Sequence, residues 1–184
     1  SLITWARRQG LDPNSIRNEI LKFGYEASEV DRLIKLSEQL PSPPDIITLA
    51  VREAFNDAFA AQTGADADFP SEVADWSERQ GLSADWARKY WRAHWQLPSP
   101  QMGFEMLHRG VISENDLAGL LKALDYAPAW RDKLKAISYN PYTRVDVRRM
   151  FNLGILNREG VKRSYLDQGY DDVHAENLTV FTVK

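Results

Sequence analysis

The chain has three histidines, His94, His108 and His174. None stands in the His-x-x-x-His spacing that sets two metal ligands on one helical face. The acidic pairs Asp66 with Asp68 and Asp171 with Asp172 lack the ligand ladder and closing Glu of a calcium loop, and read as caps and loop solubility. With no Cys, thiolate metal sites, disulfides and cysteine nucleophiles drop out, while any redox compartment stays open. No nucleophile elbow, phosphate loop or His-centred triad is present, so the residues call for no cofactor and no catalytic role.

What remains is binding chemistry. Trp86, Tyr90, Trp91 and Trp95 interleave with Arg88, Arg92 and His94, a mixture able to stack bases or grip a peptide. Their i, i+4, i+5, i+9 spacing makes the aromatics one core-facing stripe, with Trp95 a candidate interface anchor at its end. Arg144, Arg148, Arg149, Lys162 and Arg163 form the densest basic cluster, fit to meet phosphate or an acidic partner. Asp146, Glu159 and Asp167 dilute it. Arg144 and Arg148, one helical turn apart, describe a solvated or salt-bridged face.

Three sets of turn signals position these residues. Leu40-Pro41-Ser42-Pro43, Leu97-Pro98-Ser99-Pro100 and the looser Asn140-Pro141-Tyr142-Thr143 each open a helix, because Pro suits a first turn and Ser or Thr caps it. Gly24-Tyr25, Gly81-Leu82, Asp125-Tyr126 and Gly169-Tyr170 each close one helix and turn into the next. Gly10-Leu11-Asp12, Gly110-Val111-Ile112-Ser113 and Gly154-Ile155-Leu156-Asn157 end in good N-caps. From cap to corner the distance is 13 residues each time: Asp12 to Tyr25, Ser113 to Tyr126, Asn157 to Tyr170.

This spacing predicts an all-α array of three-helix units with a period of 43 residues, Pro98 to Pro141, either α-solenoid-like or a compact multi-helix bundle. Residues 1–40 are read as the last two helices of a first unit, followed by units at 41–97, 98–140 and 141–184. The second unit is 14 residues longer than the third, and the surplus is assigned to a loop insertion near 61–71 that contains Asp66 and Asp68. Insertions in repeat arrays gather on binding faces. Apolar stripes such as Leu117, Leu120, Leu121 and Leu124 keep helical spacing. Only the terminal LTVFTVK hints at a strand, so about two thirds helix and no sheet is expected.

Composition agrees with a folded chain: 184 residues, 43% hydrophobic and 11% aromatic with six Trp, are ample material for a core. A net charge of −3 with interspersed signs lacks the electropositive footprint of a general nucleic-acid binder. No apolar run approaches the roughly 20 residues that cross a bilayer. The opening SLITWARRQG has no signal-peptide pattern and reads as the start of a cut or processed fragment.

The phrases LPSPPDIITLAVREAF, GFEMLHRGVISENDLAGLLKALDY and AWRDKLKAISYNPYTRVDVRRMFNLGIL resemble helical-repeat regions of large structural proteins of tailed bacteriophages. The likeness covers nearly the whole chain and rests on repeat style. It implies a virion component of the neck, tail or interior that docks on other virion proteins. The expectation is therefore a non-enzymatic helical scaffold binding proteins, with Trp95, Asp66, Asp68, Arg144, Arg148, Arg149, Lys162 and Arg163 as candidate contacts. The alternative is a nucleic-acid-binding array in which Arg144, Arg148, Arg149, Lys162 and Arg163 meet phosphates.

Overall fold

The computed structural model describes residues 2–184, with every side chain among them but that of Pro13. Helices start wherever a side chain can replace a missing backbone partner. Ser42, Ser113 and Thr143 each accept from the N–H three residues on, while Asp45, Asp116 and Asp146 reach back to the cap, closing a box on both sides. Asp12, Asn56, Ser83, Ser99, Asn157 and Asp171 cap by the first of these bonds alone.

Thirteen helices follow among the described residues: α1 (Leu2–Arg8), α2 (Pro13–Leu21), α3 (Ala27–Leu36), α4 (Pro43–Val51), α5 (Asp57–Thr63), α6 (Ser71–Arg79), α7 (Ala84–His94), α8 (Pro100–His108), α9 (Glu114–Ala123), α10 (Pro128–Ala136), α11 (Arg144–Asn152), α12 (Arg158–Asp167) and α13 (Asp172–Val183). They make up 66% of the chain, with no strand among the described residues. The LTVFTVK segment lies almost wholly in α13.

The helices end as consistently as they begin. The corner residues Gly24, Gly81, Asp125 and Gly169 all have positive φ, at 82°, 93°, 65° and 94°. The residue after the corner donates back five positions, from Leu82 to Ser77 O at 2.9 Å, from Tyr126 to Leu121 O at 3.1 Å and from Tyr170 to Tyr165 O at 3.3 Å. The turns after the first helices close in the same way, from Leu11 to Ala6 O, from Ala54 to Leu49 O, from Val111 to Met106 O and from Ile155 to Met150 O. Carbonyls that the helix leaves orphaned are thereby paired before the chain turns.

The repeat emerges from the helix starts. Pro100, Glu114 and Pro128 are 14 residues apart, and so are Arg144, Arg158 and Asp172. The step from Pro100 to Arg144 is 44 residues, one more than the proline spacing, because Pro141 stands one residue further ahead of its helix than Pro98 does. Two expectations need correction. Residues 1–40 hold three helices instead of two, since α1 forms without a proline or cap signal. The surplus in the second unit is not a loop insertion but a complete helix-and-turn step: α5 is added between α4 and α6, and only residues 64–70 of the 61–71 segment are turn.

Packing follows the same register. The fourth and eighth residues of α2, α9 and α12 are buried in each case: Ile16 and Ile20, Leu117 and Leu121, Val161 and Tyr165. The fourth residue of the third helix is buried as Val30, Ala87 and Ala175, and is the half-buried Arg131 in α10. The chain divides into a first compact unit ending at Arg131 and a second from Asp132 to Lys184. That division falls inside α10, whereas the expected boundaries at 41, 98 and 141 separate helix triplets. In the first unit, α1–α3 gather Ile3, Ala6, Ile16, Ile20 and Val30 into one cluster. In the second, Val147, Val161, Tyr165 and Ala175 form the centre with Phe151, Leu156 and Leu178 around them. The buried hydroxyl of Thr179 donates to Ala175 O at 2.7 Å, and the Tyr165 and Thr182 hydroxyls lie 2.6 Å apart.

Gly81 is the corner with least freedom. A Cβ there would lie 2.9 Å from Ser37 O, and the Gln39 N–H donates to Gly81 O at 2.9 Å. Gly81→Ala combines left-handed strain with a backbone clash and should lower unfolding free energy by about 2 kcal/mol or more. Asp125→Gly should change it by no more than about 1 kcal/mol. Urea denaturation of both variants checks the contrast.

Candidate interaction surface

The segment between α5 and α6 is clamped to α7 by one guanidinium. The Arg92 side chain is only 10% exposed. Its Nε and Nη2 donate to the two carboxylate oxygens of Asp66 at 2.9 and 2.8 Å, and its Nη1 donates to Ala54 O at 3.0 Å and to Asp57 Oδ1 at 2.8 Å. Arg88, one turn earlier on α7, lies 3.3 Å from Asp66. The hydrogen bonds from Arg92 hold the Asp66 carboxyl below its ordinary value, and those from Asp66 hold the Arg92 guanidinium above its own. Two indoles complete the clamp: Trp95 Nε1 donates to Ala65 O and Trp91 Nε1 to Ala67 O, both at 2.9 Å. Trp91 also meets Phe69 edge-on at 5.7 Å between ring centroids.

Asp66 and Trp95, chosen from sequence as outward contacts, therefore meet in an internal clamp and are both half-buried. Asp68 is exposed in the same turn at a positive φ of 56°. The stripe Trp86, Tyr90, Trp91 and Trp95 is half-buried along its length. Trp86 packs at right angles on Phe55, and Tyr90 faces Asp45.

The basic residues of the second compact unit are spread over two helices. Arg144 lies over the Tyr170 ring at 5.1 Å, while Arg148 and Arg149 are exposed on α11. On α12, Lys162 reaches Asp172 at 2.9 Å and Glu176 at 3.4 Å, Arg163 pairs with Asp167, and Arg158 pairs with Glu176. Hydrogen bonds to these acids raise the Lys162 and Arg163 values above their ordinary ones. Two members of the five-residue cluster thus spend their charge on acids of the same unit.

Sequence reasoning overlooked a recurrent apolar position. The tenth residue from the start of the third helix is Leu36, Ile137 and Phe181 in three triplets, and these are 81%, 77% and 71% exposed. A second position, just after the first helix, exposes Leu11, Val111 and Ile155. Around Leu36 the exposure is contiguous: Leu2, Phe23, Tyr25, Leu33 and Leu36 line a groove of about 870 Å³ on α1–α3. The repeat offset alone, applied to the apolar residues, would have found both positions.

Among the described residues no three His, Asp or Glu side chains are grouped to hold a metal ion, and no helix is long and apolar enough to cross a membrane. No family model, curated protein or solved structure matches the chain.

Arg92→Met removes the donors of Asp66 and Ala54 O together and should cost about 2–3 kcal/mol. Because the Asp66 value is depressed on folding, its contribution is complete above the ordinary value of 3.8 and fades as pH falls below it. The stability gap between the natural chain and Asp66→Asn should therefore be full at about pH 6 and shrink below about pH 4, as read by thermal unfolding across that range.

Proposed function

We propose that this chain is a non-enzymatic helical-repeat scaffold that docks on other proteins, in the role of a virion component that its resemblance implies. The observation that carries the reading is the recurrence of a large apolar side chain in solvent at the same position of three triplets, Leu36, Ile137 and Phe181. A single exposed leucine needs no explanation, but apolar side chains held outward at a fixed repeat position are what a protein-binding face requires. The groove beside Leu36 adds a contiguous apolar surface of the kind in which interface anchors seat. Ion pairing of Lys162 and Arg163 within their own unit leaves less charge for phosphate, which favours protein over nucleic acid as the partner.

The test is recovery of bound species from disassembled particles or native lysate at low and high salt, with the natural chain beside Leu36→Glu/Ile137→Glu/Phe181→Glu. Defined assembly proteins should survive high salt and drop at least about tenfold with the triple variant, a loss of about 1.4 kcal/mol. Equal recovery by the variant, or salt-labile recovery of nucleic acid alone, overturns the reading.

A further inference from the structure

A second hollow lies elsewhere in the first compact unit and is independent of the docking reading. The added helix α5 stands off from α8 and α9, leaving a pocket of about 550 Å³ lined by Phe59, Leu97, Met106, Ile112 and Leu120 together with Trp95. That volume is in the range of small-molecule sites, and mostly apolar walls with a few polar groups are their usual character.

The charges on its wall do not balance. Arg92 is answered by Asp57 and Asp66. The Asp116 carboxylate serves the Ser113 cap and accepts from Gln62 at 2.8 Å, and the nearby Glu53 pairs with Lys122 at 2.6 Å. Arg52 also lines the pocket, and its Nη1 is shielded from water with no hydrogen-bond partner. A shielded guanidinium nitrogen without an acceptor is costly, and a native chain keeps one where something outside the chain supplies the acceptor. One unmatched positive charge calls for one negative charge. A dianion such as phosphate would leave a charge of its own uncompensated against apolar walls, whereas a carboxylate fits the fork of an arginine and carries one charge. The geometry points to a binding site for a small ligand with a carboxylate on an apolar body, its anion on Arg52 and its hydrocarbon against Phe59, Met106 and Leu120.

The chain has three methionines, and only Met106 lines the pocket, so ¹³C-methyl labelling gives one reporter and two references, Met102 and Met150. The probes are 4-phenylbutyrate and its uncharged amide, 4-phenylbutyramide. The acid should shift the Met106 methyl saturably and bind at least about tenfold more tightly than the amide. Arg52→Gln should abolish that preference and Arg52→Lys should retain part of it, with Met102 and Met150 reporting an intact fold in both. If Arg52→Gln does not fold, the comparison of acid and amide on the natural chain decides alone. N-acetyl-Leu-Phe as free acid and as amide separates the sources: tighter binding of the peptide acid than of 4-phenylbutyrate assigns the site to a polypeptide C-terminus, and weaker binding assigns it to a free organic acid. Equal affinity for acid and amide, or no saturable Met106 response up to about 10 mM, a weak-binding limit, overturns the proposal.

Discussion

A helix of nine or ten residues does not hold itself together in water, because the cost of its first turn is spread over too few hydrogen bonds. Most helices of this chain are of that length. Their existence depends on ends that leave no backbone group unpaired and on neighbours that cover one face. The capped starts and positive-φ corners meet the first requirement, and the fourth and eighth residues of the middle helix meet the second. Since both devices return at a fixed interval, the chain builds its core triplet by triplet, and no long-range pairing has to form first.

Short helices also explain the surface. A nine-residue helix offers about two and a half turns, so it buries two or three side chains and must leave others outside. Where those others are polar they make local pairs, such as Arg163 with Asp167 and Lys162 with Asp172. Where they are large and apolar, as at Leu36, Ile137 and Phe181, the fold gains nothing from them. The same economy leaves a hollow where α5 interrupts the regular triplet, because an added helix brings new walls without side chains large enough to fill the space between them.

The fold was legible because it is written in local signals. Pro43, Pro100, the caps Ser113 and Asn157 and the corners at Gly81, Asp125 and Gly169 each act within five residues, and the helices start and stop where those residues say. The signals failed where a helix lacked them. The first helix has no cap in its sequence, and α5 begins at Asn56 after a corner made by Glu53, at a φ of 57°, which no glycine announces. The candidate contacts were less legible, because side-chain pairing depends on which residues the tertiary fold brings together. Asp66 reads as a solubilising loop residue until Arg92, 26 positions later, is placed against it. Arg52 gave no signal at all, since an unpaired guanidinium is defined by acceptors that are absent.

Glu53, Asp68 and Asp125 hold left-handed backbone with side chains that resist it, whereas Gly81 holds it with none and has Ser37 O against the place where one would go. Mutational drift at these turns is therefore one-directional. An acidic residue can give way to glycine with its geometry intact, but glycine at position 81 has no substitute that keeps the corner. In a lineage of such chains the acidic turns are free to wander, and the junction of Gly81 with Ser37 and Gln39 is the point that selection must hold still.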